Sequence, residues 1–191
     1  MRDVLDFYVR IKAAAGDVYP FLVEPDKLAM WGAPAVRVSF PEQEPQRIEP
    51  GAVFGMALAM PGSPALEYHA LSVSEQTLQF AFTGAIEGTD TWHILPADGG
   101  VVVHNRVEFD IADPRLGVLW ALVGRWGTVV FMQWLLRRLK MRVEDTVGSS
   151  TFGVPLLVSP FALATLAVIL ALFFGLLAVL LGKKLGSHRR S

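Results

Sequence analysis

The 191-residue chain contains no cysteine, which excludes disulfide frameworks, thiolate metal sites and cysteine nucleophiles. Between Ile48 and Asn105 there is no lysine or arginine, so nothing in that stretch would grip a phosphate. Four of the seventeen Lys and Arg fall after residue 182, leaving thirteen basic against eighteen acidic side chains before it, a balance of −5. A nucleic-acid binder needs a basic stripe that displaces counterions, and this balance argues against one. The glycines follow turn logic rather than forming a phosphate loop, and no serine sits in a nucleophile-elbow setting. The N-terminus, MRDVLDFYVR, carries Asp3 and Asp6 and lacks an apolar core of signal-peptide length. The domain is therefore expected in the cytoplasm.

What is present stands out most at the other end. Val154 to Leu181 is uncharged and is followed by Lys183, Lys184, Arg189 and Arg190. Its strongest part, Phe161 to Leu181, is interrupted only by Thr165 and Gly175. At about 1.5 Å per residue a helix of that length matches the roughly 30 Å hydrocarbon core of a bilayer. The expectation is a single-pass C-terminal membrane anchor at 161–181, with a basic tail at 182–191. Gly148, Gly153, Pro155 and Pro160 make 148–160 a breaker-rich hinge, leaving 1–147 as one domain with a proper core. Arg137, Arg138, Lys140 and Arg142 precede the span and four basic residues follow it, so the charge rule does not set orientation. The cluster Arg137, Arg138, Lys140 and Arg142 most simply solvates the end of the long helix, with contact to anionic headgroups as the alternative.

Within 1–147 the pattern is mostly of period two, the mark of half-buried strands. Phe7, Val9 and Ile11 alternate with Tyr8 and Arg10, and Val36, Val38 and Phe40 with Arg37 and Ser39. Phe54, Met56, Leu58 and Met60 alternate with smaller residues. Leu66, Tyr68 and Ala70 follow, then Leu78, Phe80 and Phe82, then Asp90, Trp92 and Ile94, then Val101 to Phe109. Gly and Pro clusters punctuate the runs. Ala97-Asp98-Gly99-Gly100 reads as a hairpin, and with Asp98-Gly99 as its two-residue turn His93 faces His104 outside and Trp92 faces Asn105 inside. Two short helices are expected after the first strand, one capped by Asp17 with Pro20 in its first turn, one opened by Pro25 and ended near Gly32.

From Pro114 the period becomes helical: Leu116, Leu119, Trp120, Val123, Gly127, Val130, Phe131 and Trp134, continuing through LLRRLKMRVED. Gly117 to Leu136 holds only Arg125 as a charge and has a rival reading as a second membrane span. A central arginine would cost such a span about 3 kcal/mol, which favours a long helix packed on the sheet.

Strand, two short helices, six antiparallel strands and one long helix is the order of an α+β helix-grip fold, a curved sheet of about seven strands around a long C-terminal helix. The segments FYVRIKAAAGDVYPFLVEPDKLAMW, TWHILPADGGVVVHNRVEFDI and LLRRLKMRVED resemble the START-like (SRPBCC, Bet v 1-like) superfamily in its polyketide cyclase/dehydrase branch, over about residues 6–147. The resemblance implies an apolar cavity between sheet and long helix for a lipid, quinone, sterol or polyketide-like ligand. The alternation supplies an inward set that would line it: Phe54, Met56, Leu58, Tyr68, Phe80, Phe82, Trp92, Val103, Val107 and Phe109, faced by Val123, Phe131 and Trp134. Any one of these has the plainer reading of core packing.

Inward polar groups are few, namely Tyr68, Asp90, Asn105 and the Trp92 indole, and each needs a partner, a water or a ligand. They are the candidates for orienting a ligand's polar head; Asp90 and Tyr68 are also the candidate acid and base if the chain is an enzyme. The plainer alternative is that Tyr68 reaches the rim and that Asp90 and Asn105 bond nearby backbone. His69, His93 and His104 fall on the outward phase with no carboxylate at ligand spacing, so no metal is expected, and no cofactor. The leading expectation is a membrane-anchored carrier or sensor for a hydrophobic small molecule or lipid. A cyclase or dehydratase acting on a lipophilic chain, and a module that positions a membrane complex, are the alternatives.

Overall fold

The computed structural model describes residues 1–41, 43–58, 65–84, 86–111 and 114–148. Met60, the expected span at 161–181, the tail and all but the first residue of the hinge lie outside them. Strand β1 (Arg2–Ile11) leads into helices α1 (Ala15–Val23) and α2 (Pro25–Gly32). Strands β2 (Val36–Ser39), β3 (Val53–Leu58), β4 (Leu66–Val73), β5 (Thr77–Thr83), β6 (Glu87–Ala97) and β7 (Gly100–Asp110) follow. The chain then forms α3 (Pro114–Leu119), a π turn (Trp120–Gly124) and α4 (Arg125–Thr146). Among the described residues the strands make one seven-stranded antiparallel sheet in the order β1-β7-β6-β5-β4-β3-β2. With the long helix behind it, this is the helix-grip arrangement.

The β6–β7 hairpin has the expected register: Trp92 lies opposite Asn105 and His93 opposite His104. Asp98 and Gly99 form the turn, with φ of +69° at Gly99 and +153° at Gly100. Both values favour glycine, and a Cβ at Gly100 would sit 2.1 Å from the carbonyl oxygen of Ile11. β1 completes the ladder on the other side of β7, with Phe7 opposite Asn105 and Tyr8 opposite His104. Alternation then sorts the faces. Leu5, Phe7, Ile11, Phe80, Phe82, Trp92, Val103 and Phe109 are buried. On the outer face His104 stacks on Tyr8 at 4.3 Å, bonds Asp6 at 2.8 Å and lies 5.6 Å from the His93 ring. Among the described residues no group of His, Asp and Glu has the makings of a metal site.

Helix α4 seals the core with Leu135, Leu136, Leu139 and Val143, at the four-residue spacing that keeps side chains on one stripe. Its backbone comes closest to β1, α1 and α2. Glu144, buried beside this stripe, accepts the Lys12 backbone N–H at 2.8 Å and pairs with Lys140 at 3.1 Å. The helix is thus packed into the domain. No described helix is long and apolar enough to cross a membrane, so Gly117–Leu136 is not seen as a second span.

Three local expectations need correction. α1 starts earlier than Asp17: Ala14 precedes the first turn, and Asp17 lies inside it, accepting the Ala14 N–H at 3.3 Å. A carboxylate in that position still favours the helix N-terminus. Pro20 therefore falls in the second turn of α1 rather than the first. Val130, assigned to the packed face of the long helix, is exposed, because the π turn alters which positions face the sheet.

Burial along the helix predicts contrasting tolerances. Leu139 is fully buried and Leu122 is 73% exposed. Leu139→Ala is expected to cost about 2–5 kcal/mol, and Leu122→Ala to stay within about 0.5 kcal/mol. Urea unfolding followed by tryptophan fluorescence measures both.

Candidate ligand site on the inner face of the sheet

The register explains how the polar candidates come together. Asp90 faces Val107 and Trp92 faces Asn105 across the β6–β7 pair, so Asp90 and Asn105 are diagonal neighbours on the inner face. Asn105 Nδ2 donates to Asp90 Oδ1 at 2.5 Å, and the Trp92 side chain is a further donor to that carboxylate. The partners are thus side chains, not the nearby backbone. Asn105 is 0% exposed and its Oδ1 has no hydrogen-bond partner among the described residues. A buried acceptor left in this state costs on the order of 1–3 kcal/mol.

Burial dominates the electrostatics of the pair. It lifts the Asp90 carboxyl from 3.8 to about 6, against the opposing pull of Asn105 and Trp92. Tyr68, on β4 and half-buried, has its hydroxyl held well above 10.0, chiefly by burial and then by the Asp90 charge. At neutral pH the site therefore presents a phenol that keeps its proton and a carboxyl poised to exchange one.

Around these groups the sheet builds an aromatic wall. The ring centroid of Phe54 is 5.4 Å from that of Tyr68 and 5.8 Å from that of Phe80, and Tyr68 is 5.4 Å from Phe82. Phe40 extends the wall at 5.9 Å from Phe54. Trp92 meets Trp31 of α2 edge-on at 6.2 Å, and the Trp31 indole donates to the Phe21 carbonyl at 2.8 Å. Trp31 was absent from the expected site. Its place in a short helix, without a strand's alternation, gave no phase to read. From the long helix, Phe131 and Trp134 stack at 6.0 Å, with the Arg138 guanidinium 4.9 Å over Trp134.

The expected lining residues thus divide by burial. Phe80, Phe82, Asp90, Trp92 and Asn105 are buried, whereas Tyr68, Val107, Val123, Phe131 and Trp134 are half-buried. Two open pockets lie away from this wall. One, of about 830 Å³, is lined by Glu24, Arg47 and Glu49 among others, beside the junction of α1 and α2. The other, of about 390 Å³, lies between Met1, Ile111, Val118 and Ala121. Neither is lined by the inward set.

The raised Asp90 value carries a stability consequence. Its carboxyl binds a proton more tightly in the folded than in the unfolded chain, so its effect is neutral below about pH 4 and becomes destabilising as pH rises to about 6. The gap between 3.8 and about 6 corresponds to about 3 kcal/mol. Asp90→Asn is expected to match the wild type near pH 4 and to exceed it by up to about that amount at pH 7. Unfolding of both proteins across this range checks it; a constant offset would mean that Asp90 ionises as in water.

Comparison with known proteins bears on the whole domain. No curated protein gave a significant match. Among solved structures, a Chromobacterium violaceum protein is similar at 16% identity, covering 74% of this chain and 96% of its own, with a TM-score of 0.56. Ara h 8.0201 matches at 13% identity over 76% and 99%, with a TM-score of 0.57. A point mutant of norcoclaurine synthase from Thalictrum, bound to a transition-state analogue, matches at 13% over 76% and 96%, with a TM-score of 0.56. Identities this low establish the shared fold alone. The family model described as polyketide cyclase / dehydrase and lipid transport matches residues 5–144, from within β1 to the last turn of α4, and the chain belongs to that family.

Proposed function

We propose that the chain binds one hydrophobic small molecule or lipid between the aromatic wall of the sheet and the long helix, as a carrier or sensor tethered to a membrane by residues 161–181. The observation that carries this reading is the buried acceptor Asn105 Oδ1, without a partner among the described residues, beside a protonatable carboxyl and a wall of rings. A ligand with an apolar body and a hydroxyl or amide donor would satisfy that oxygen, and its body would cover Phe80, Phe82 and Trp92. Ligand sites generally combine an apolar lining with a few orienting polar groups. Val107, Val123, Phe131 and Trp134 keep partial exposure although they belong to the inward set. They mark where a ligand would pass between sheet and helix. The uncharged stretch from Val154 to Leu181 supports the tether.

Catalysis is the second reading, and the Asp90 carboxyl favours it, since a general acid or base works best with a pKa near the working pH. In that reading Asp90 exchanges the proton and Tyr68 donates a hydrogen bond to a carbonyl of a lipophilic substrate.

Native mass spectrometry of the full chain, stripped of annular lipid and challenged with lipid and quinone extracts, tests the binding reading. One bound molecule per chain is expected, with retention reduced in Asn105→Leu and Tyr68→Phe. A protein that stays empty across the extracts contradicts it and favours an interaction module. For the enzymatic reading, Asp90→Asn and Tyr68→Phe are each expected to lower turnover of a polyketide-like chain; unchanged rates in both would remove these residues as its catalysts.

A further inference from the structure

Along the outer side of the long helix, Val118, Leu122, Trp126 and Val130 are 62%, 73%, 76% and 43% exposed. They recur every four residues. In an unbroken α-helix, side chains four apart drift around the axis by about 40° per step. The π turn at Trp120–Gly124 is wider and takes up part of that drift, which keeps the four closer to one line than an unbroken α-helix would. Ala121 is exposed beside them. The stripe borders the pocket of about 390 Å³, through their shared residue Val118. Arg125, the charge nearest its middle, is engaged by Asp3 at 3.2 Å. Further along the same face the exposed residues become Arg137 and Met141.

We propose that this face of the helix, Val118 to Val130, lies on the lipid surface and docks the domain against the bilayer, with Arg137 set toward anionic headgroups. The proposal rests on the membrane-tethered reading above and deepens it. Other exposed apolar side chains, such as Tyr8, Met30, Leu71 and Leu95, lie on other elements, whereas these four follow one another along one helix, and a contiguous exposed apolar stripe marks a contact surface. Its composition suits a membrane interface: a tryptophan amid aliphatic side chains, with the basic Arg137 beyond one end. Sequence supplies the occupant, because the helix leads, within eight residues of Thr146, into the uncharged run that starts at Val154. A domain so tethered stays within reach of lipid, and a helix packed on β1 by Leu136 and Leu139 can lie on a bilayer without entering it.

The absence of cysteine makes a clean test. Leu122→Cys, Trp126→Cys and, as a control on the outer face of β6, Leu95→Cys are labelled with a nitroxide in the full chain. Each is reconstituted in mixed phosphatidylcholine and phosphatidylglycerol vesicles. At 122 and 126, collisions with oxygen are expected to rise and those with a water-soluble nickel chelate to fall by several-fold relative to 95. Equal nickel access at 122 and 95 overturns the proposal. So does exclusion of both reagents with an immobilised spectrum, the signature of cover by a second copy or by residues 154–181. Flotation with the vesicles after an alkaline wash reports the tether alone, so a protein that floats with 122 in water refutes docking and leaves the tethered reading intact. A protein released by the wash, yet with 122 shielded from nickel at neutral pH, refutes the tether and keeps the docking.

Discussion

The register of three adjacent strands governs the rest of the molecule. A two-residue turn at Asp98-Gly99 pairs Trp92 with Asn105, and β1 pairs Phe7 with the same asparagine from the other side. Because side chains alternate with period two, a slip of one residue would put Asp90 and Asn105 in solvent and the histidines inside. Gly100 protects that register sterically, since any side chain there would collide with the end of β1. The inner face is then a consequence: two polar groups at the centre, rings to one side, and the stem of α4 beyond.

That central arrangement works against stability. Burial makes ionising Asp90 costly, and Asn105 uses its amide on Asp90 while its carbonyl oxygen has no partner among the described residues. A core selected for stability alone would favour apolar residues at both positions. Apolar packing on the long helix is deepest toward its other end, where Leu136, Leu139 and Val143 are fully buried against the domain. The π turn that precedes α4, and the half-buried Phe131 and Trp134 in its N-terminal half, are the parts that the proposed ligand or lipid surface would meet.

Strand positions were legible from sequence because alternation reports the buried face directly. Tyr68, Asp90, Trp92 and Asn105 were assigned inward on phase alone, and the hairpin register followed from the turn. Helical details were less legible. Asp17 was read as the cap when it is the acidic residue of the first turn, since a carboxylate favours either place. The π turn carries no sequence mark, so Val130 was assigned inward although the widened turn leaves it outside. Glu144 read as part of a charged helix end; only the tertiary contacts reveal it accepting from Lys12 across the domain. Trp31 is likewise joined to Trp92 by packing between elements distant in sequence.

Asp90 is buried on the inner face, beside an acceptor that a ligand's donor would satisfy. The carbon-13 shift of the Asp90 side-chain carboxyl, followed by NMR as pH is varied, reports this most directly. A midpoint near 6 is predicted. A midpoint near 3.8, the ordinary aspartate value, would place the carboxyl in water and contradict the account.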